Sequence, residues 1–377
     1  MNNKKILTII LIILFSFVTE RINTNKTDVY EEQNKISIKK NKNMLSMNLE
    51  QTAGAGDYKT VTQSSWPTEG YKFNTELSRC ENGSEISWDD TEKVVVVTGN
   101  LLDKCYVYFD IYLTTLAEYI KSQYTGTQGD NALYYHNSIL TNGAGDNSYR
   151  YAGASESVNN YICLGSDEAT CPDANLFRII GVFGDQVKVI RAKSVGDQPW
   201  HSSLVNKSWS SSSLNTYLNG EYLTSLGTLA DKIATTTWKV EGGYTTNLYD
   251  VPKTAYQYEV GSSASSTTHD AKIGLMYVSD YGFAADSSEW TKKLGSYKSS
   301  SKNWLLLDSI EWTISRSSDN LYSAFYVNNS GGVYSAYVTR SYVVRPSFSL
   351  ESSVKYVSGS GTIENPIRIN WYTVDIL

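Results

Sequence analysis

Residues 303–350 read NWLLLDSIEWTISRSSDNLYSAFYVNNSGGVYSAYVTRSYVVRPSFSL, and the period of this stretch decides the fold class. Tyr322–Val327 and Val333–Val338 alternate bulky and small side chains, as half-buried strands do. Between them lies NNSGG, Asn328–Gly332, whose Asn and Gly residues accept the left-handed backbone of a tight loop. The pattern predicts a β-hairpin, and the arms echo each other, YSAFYV against YSAYVT. A third run, Tyr342–Leu350, places Val343, Val344 and Phe348 beside Arg345 and Pro346. Together they predict a β-rich carboxyl end.

The same logic extends outward. FRIIGVFGDQVKVIRA, Phe177–Ala192, sets two apolar runs around Gly184-Asp185, a two-residue turn pair, and predicts a second hairpin. From 66 to 112, YKFN, SEISWDD, VVVVTG and CYVYFD alternate between Gly, Asn and Asp clusters, which predicts a small antiparallel β module. Leu113, Leu116, Ala117 and Ile120 share one face of a helix over Leu113–Tyr124. A loop-rich connector is expected to complete 113–175. Further helices are expected over Trp209–Leu226, bent or ended by Gly220, and over Leu229–Trp238. Val240–Asp270 reads as irregular, Ala271–Ser279 as a buried strand and Tyr281–Trp290 as a short helix. The fold class expected is α+β, dominated by β.

At the amino end, Lys4 and Lys5 precede the apolar run Ile6–Val18, which Glu20 and Arg21 close. As a helix this run would span about 20 Å, short of a hydrocarbon core of about 30 Å. Residues 1–22 therefore read as an export signal or, because Ser16-Phe17-Val18 is a poor cleavage site, as a short membrane anchor through 6–18. Residues 23–65, with the basic run KISIKKNKNM and many small residues, read as a flexible tether. An extracellular or cell-surface location follows.

Four cysteines lie beyond that segment: Cys80, Cys105, Cys163 and Cys171. An exported chain with an even count points to disulfides. Of the three connectivities, Cys80–Cys105 with Cys163–Cys171 is preferred, because each pair falls within one short, turn-rich segment. No C-x-x-C or paired His supplies zinc spacing.

Composition narrows function. With 39 acidic against 33 basic side chains the net charge is −6, which disfavours nucleic acid as a partner. The 29 Tyr and 9 Trp supply a core and exclude the composition of a disordered chain. Gly54-Ala55-Gly56 lacks the Lys-Ser/Thr of a phosphate loop. Asp130, Asp146 and Asp167 do not follow the calcium-loop spacing, and neither a metal nor another cofactor is expected. Only His136, His201 and His269 offer an imidazole base; their polar flanks suggest solvated loops. Asp89-Asp90 falls at a turn, where Asp caps backbone. No catalytic set is predicted, so the chain reads as a non-enzyme.

Several phrases carry a resemblance. NLFRIIGVFGDQVKVI (175–190), KIGLMYVSDYGFAA (272–285), EWTISRSSDN (311–320), AFYVNNSGGV (324–333), VVRPSFSL (343–350) and SGSGTIENPIRI (358–369) resemble a family of exported bacterial proteins of unknown function. SRCENGSEISWDD, DKCYVYFD and DNSYRYAG extend the likeness across residues 50–370. The carboxyl-terminal module of that family looks C-type-lectin-like and is distantly similar to the formylglycine-generating, sulfatase-modifying domain. The resemblance implies such a module over 176–370. The oxidase chemistry of that domain depends on two late cysteines, whereas this chain has none after Cys171. EPN, QPD and WND, the calcium-lectin tripeptides, are absent as well.

What remains is display. Tyr and Trp give rigid amphipathic contact area, and Ser, Asn and Gly give adaptable hydrogen bonding. The candidate ligand-binding set is Arg316, Tyr322, Tyr326, Asn328, Tyr334, Tyr337, Arg340 and Tyr342, facing a glycan, peptide or protein ligand in an adhesion role. Trp312 is expected in the core. The alternative is a structural subunit of a cell-envelope assembly or appendage.

Overall fold

The computed structural model describes residues 29–32, 35–38, 45–52, 55–61, 70–100, 102–205 and 208–370. The export or anchor segment, 1–22, lies outside the described residues. The chain divides into two compact units, one ending at Leu113 and one spanning Thr114–Thr373. The architecture is α+β with β dominant. Among the described residues, no helix is long and apolar enough to cross a membrane.

The first unit is a two-sheet sandwich. Its strands are β1 (Val29–Glu32), β2 (Lys35–Ile38), β3 (Leu45–Glu50), β4 (Tyr58–Val61), β5 (Tyr71–Phe73), β6 (Arg79–Cys80), β7 (Glu85–Asp89), β8 (Val94–Thr98) and β9 (Cys105–Ile111). One sheet runs β1-β2-β8-β7; the other runs β4-β3-β9-β5, with β6 also on β9. Met47 and Leu49, two residues apart on β3, meet Val95 and Val97 from the opposite sheet and Val107 and Phe109 from β9 in one core. The reading of 23–65 as a tether is corrected here: β3 is a central strand, paired parallel to β9 from Leu45↔Cys105 to Leu49↔Phe109. Cys80 and Cys105 are disulfide-bonded across paired strands β6 and β9, as expected. Asp89 does cap its turn, its Oδ1 accepting from the amides of Thr91 and Glu92.

In the second unit the strands are β10 (Leu133–Tyr135), β11 (Tyr149–Tyr151), β12 (Tyr161–Cys163), β13 (Leu176–Phe183), β14 (Gln186–Arg191), β15 (Asp197–Pro199), β16 (Thr236–Lys239), β17 (Thr268–Ala271), β18 (Ile273–Gly274), β19 (Glu311–Arg316), β20 (Ser323–Val327), β21 (Val333–Tyr337), β22 (Ser341–Val343), β23 (Ser347–Ser349), β24 (Tyr356–Ser358) and β25 (Arg368–Ile369). The main sheet runs β10-β11-β13-β14-β23-β18, with β12 also on β13. A second sheet runs β15-β22-β19-β20-β21.

Both expected hairpins form. β13 and β14 close through Gly184, whose φ of 64° is the left-handed geometry the turn requires. β20 and β21 pair in register, Tyr326 opposite Tyr334, and Asn328 N–H donates to the Gly332 carbonyl across the loop. The third run breaks at Arg345-Pro346, because proline has no N–H for a ladder. Its halves enter different sheets, β22 beside β19 and β23 beside β14. The second disulfide, Cys163–Cys171, also forms.

Several element assignments change. Residues 113–175 are not a connector, since β10, β11 and β12 build one side of the main sheet. The helix Leu116–Ser122 starts at a capping box of Thr115 and Glu118 and buries Leu116, Ala117 and Ile120, as its spacing predicts. Leu229–Trp238 is not a helix: one 3₁₀ segment ends at Lys232, and Thr236–Lys239 is β16. Val240–Asp270 contains the helix Pro252–Glu259, with Pro252 in its first turn. Ala271–Ser279 is strand only at Ala271, the end of β17, and at β18, after which the helix Val278–Ala284 begins. Gly220 does not end its helix; the chain passes it in one π turn, Leu218–Tyr222.

Candidate functional site

The eight candidate residues do not form one patch. Arg316 is 7% exposed, and its Nη1 lies 3.5 Å from Glu241, so it is removed from the surface set. Asn328 is committed to its own turn, its Oδ1 accepting from the amides of Ser330 and Gly332. Tyr322 and Tyr337 are 46% and 50% exposed, and Arg340 is exposed beside them in sequence. Tyr337, three residues from Tyr334 on an alternating strand, leaves on the opposite side of β21.

Three of the eight come together. Tyr342 on β22, Tyr326 on β20 and Tyr334 on β21 lie across the second sheet, with Trp312 of β19, opposite Tyr326, between the first two. Ring centroids are 5.0 Å apart for Tyr342–Tyr326 and 6.1 Å for Tyr326–Tyr334. Trp312 packs 4.6 Å from Tyr342 and 6.2 Å from Tyr326, and its Nε1 donates to the Gln198 carbonyl. Tyr326 and Tyr342 are half-buried, and Tyr334 is 39% exposed. Burial, and then the neighbouring Tyr342, push the Tyr326 phenol above its usual range. The row is a neutral, rigid, partly open aromatic strip.

A second feature sits by the main sheet, and no residue of it was among the candidates. A cavity of about 210 Å³ is lined by Asp146, Arg150, Lys188 and Asp280 among aromatic walls. β14 supplies Lys188, whose Nζ lies 2.5 Å from Asp280 Oδ2. Asp280 comes from the first turn of the helix Val278–Ala284, and its Oδ2 also accepts from the Tyr277 amide at 2.9 Å. Arg150, on β11, bonds Asp146 Oδ2 at 2.7 Å through Nη2 and places Nη1 3.5 Å from Asp280 Oδ1. An alternating chain of charge results, Asp146–Arg150–Asp280–Lys188.

Aromatic faces enclose it. The Arg150 guanidinium lies 4.6 Å from the Phe183 ring centre and 5.3 Å from that of Tyr256. The Lys188 ammonium lies 4.5 Å from Tyr277 and 5.2 Å from Trp238. Behind Asp280, the buried Glu259 carboxylate accepts from the amides of Val278 and Ser279 and from the Ser315 hydroxyl. Burial lowers the Lys188 ammonium below its usual range, with Asp280 opposing, and raises Glu259, with those hydrogen bonds opposing. Burial would also raise Asp146, but Arg150 and the Ser148 hydrogen bonds outweigh it and hold the carboxyl at about 2.

The histidines depart from the solvated reading. His136 is fully buried and His201 nearly so. Each accepts a backbone amide at Nδ1, from Ala144 and Ser213 respectively, which places its proton on Nε2. Ser203 Oγ lies 3.4 Å from His201 Nε2, the nitrogen that already carries the proton. His269 Nε2 contacts Asn215 Nδ2 at 3.2 Å. Among the described residues, no three His, Cys, Asp or Glu side chains gather as a metal site.

One sequence clue to the cavity exists. Lys188 interrupts the apolar run QVKVI, and a charge there demands a buried partner. Asp280, more than ninety residues away, is invisible to local patterns.

Residues 184–352 match a family described as Domain of unknown function (DUF6273). No curated protein and no solved structure matches the chain.

Proposed function

We propose that this is an exported, non-catalytic binding protein of the cell surface whose second unit is a C-type-lectin-like module, and that its recognition face is the Tyr342–Tyr326–Tyr334 row. The carrying observation is that row: three partly open rings on β22, β20 and β21, packed against the buried Trp312 of the intervening strand β19. A flat, preordered aromatic strip suits the apolar C–H faces of successive sugar rings, so the ligand class is a glycan. Little entropy is lost on contact, because the rings already pack on one another. The two disulfides agree with an oxidising destination.

The test is a glycan array probed with the full chain, then titration of the strongest hit against Tyr326→Ala and Tyr342→Ala. Losing an anchor ring costs about 2 kcal/mol, roughly a 30-fold weaker Kd. Tyr322→Ala, away from the row, should bind as the parent does. Equal binding by all three variants, or a parent that retains no glycan, would overturn the assignment.

A further inference from the structure

The cavity beside the main sheet carries a second proposal, independent of the tyrosine row. We infer that it is a binding site for a small organic monocarboxylate with a flat or compact apolar body.

Its donors outnumber its acceptors. A guanidinium has five N–H groups, and Arg150 gives one through Nε to Ser148 Oγ and one through Nη2 to Asp146, while its Nη1 lies 3.5 Å from Asp280 Oδ1. An ammonium has three, and Lys188 gives one to Asp280. The carboxylates are more nearly satisfied. Asp146 Oδ1 accepts from both the amide and hydroxyl of Ser148, and its Oδ2 accepts from Arg150. Asp280 Oδ2 accepts from Lys188 and from the Tyr277 amide. A further acceptor fits this wall better than a further donor.

Charge gives the same sign. The lining holds three cations, Arg150, Lys188 and Lys239, against two carboxylates, Asp146 and Asp280. Lys239 Nζ donates to the Ser265 carbonyl. Within the lining itself one negative charge balances this set; the buried Glu259 behind Asp280 lies outside the lining. A dianionic phosphate would meet the two resident carboxylates, and a cation would find the aromatic faces already taken by Lys188. Phe183, Trp238, Tyr256 and Tyr277 give the lining its apolar share, which the body of the acid would meet. The 210 Å³ volume is well beyond the roughly 10–15 Å³ that one water needs, and below the roughly 300 Å³ at which drug-sized pockets begin.

Carboxylates of this kind come as free acids or as the last residue of a peptide, and the experiment separates the two. The full chain is titrated by calorimetry with phenylacetate, with its neutral isostere phenylacetamide, with inorganic phosphate, and with N-acetyl-phenylalanine. Saturable binding of phenylacetate, at least tenfold tighter than phenylacetamide or phosphate, is expected. Comparable binding of N-acetyl-phenylalanine assigns the site to a peptide terminus, and its exclusion assigns the site to a free acid. Lys188→Met should weaken phenylacetate at least tenfold. Because that change also strands Asp280, Gln186→Trp is the second variant: Gln186 lines the cavity two residues from Lys188 on the same face of β14 and is half-buried, so the larger ring fills the space, leaves the ion pairs alone, and should abolish binding without lowering Tm. Phenylacetamide binding as well as phenylacetate, phenylacetate binding untouched by both variants, or no saturation at about 1 mM would each overturn the proposal.

Discussion

Replacing Arg345 by Met gives the sharpest test of how the second unit is held together. Arg345 and Glu311 have side chains only 2% exposed each. The guanidinium donates to Glu311 Oε1 at 2.8 Å and Oε2 at 2.7 Å, and to the Leu305 carbonyl at 2.6 Å. Glu311 opens β19, Arg345 follows β22, and these strands meet in parallel at Glu311↔Val343. Removing one partner of a buried pair leaves the other charge uncompensated, at a cost of about 3–5 kcal/mol. Replacing both, as Glu311→Leu with Arg345→Met, removes charge and counter-charge together and should cost less than about 2 kcal/mol, so the double variant is more stable than the single.

A pH signature distinguishes this account from simple loss of packing. Burial raises the Glu311 carboxyl above its ordinary 4.5, and Arg345 opposes that rise. Without Arg345 the folded pKa climbs further. Above pH 4.5 the unfolded state then releases a proton that the folded state retains. Stability of the single variant should therefore fall as pH rises from 4.5, more steeply than in the parent, and the double variant should not show that slope. Urea unfolding followed by tryptophan fluorescence reads this directly, since Trp312 adjoins Glu311 in sequence and is fully buried. A single variant losing under about 1 kcal/mol, or a double variant no better than the single, would refute the reasoning.

Three further outcomes are expected. Cys80→Ser with Cys105→Ser opens a link of sequence separation 25 in a unit with a small core; loop-closure entropy sets the loss at about 3 kcal/mol, and limited proteolysis of the full chain should show the first unit cleaved earlier. Gly242→Ala would put a Cβ 1.9 Å from the Arg316 carbonyl oxygen at a φ of +71°, so the yield of folded protein and Tm should collapse, whereas Gly220→Ala, with open space around it, should leave both unchanged or raised. Acid should act in two steps. Burial, then Arg150, holds His136 well below 6.5, so stability falls as pH drops below 6.5 and the unfolded chain takes up a proton the folded one refuses. Asp146, ordinarily 3.8 and here about 2, contributes about 2 kcal/mol above pH 3.8 that is lost as pH approaches 2. A Tm series from pH 7.5 to pH 3, flattened above pH 5 in His136→Phe, checks the first step.

What the sequence disclosed follows from which forces are local. The hairpins at Gly184 and Asn328 were legible because turn chemistry and period-2 alternation are written within a few residues. The disulfide pairs were legible because both partners lie in the same short segment. β3 was missed although LSMNLE alternates, because basic and small residues on either side dominate that region and its partner β9 is far along the chain. The helix Pro252–Glu259 lacks an aliphatic stripe; of its buried residues one is proline and one is glutamate. Thr235–Trp238 carries the β-branched composition of a strand, and the apolar spacing before it masked that. Of the aromatic candidates, period 2 told which residues alternate, but not which side the core would cover. The cavity draws on six separate segments, and no local rule joins Arg150 to Asp280.

The hairpin joining β13 to β14 bears on where this protein can be cut. The family match begins at Gly184, inside the turn itself. A fragment excised there would keep β14 and discard β13, along with β10, β11 and β12 that pair on the same side. The exposed ladder of β14 would recruit strands from other copies, which is the route to aggregation. Boundaries of recurrence in sequence and boundaries of autonomous folding thus part company by some seventy residues, and recombinant fragments of the second unit should start at Thr114 rather than at Gly184.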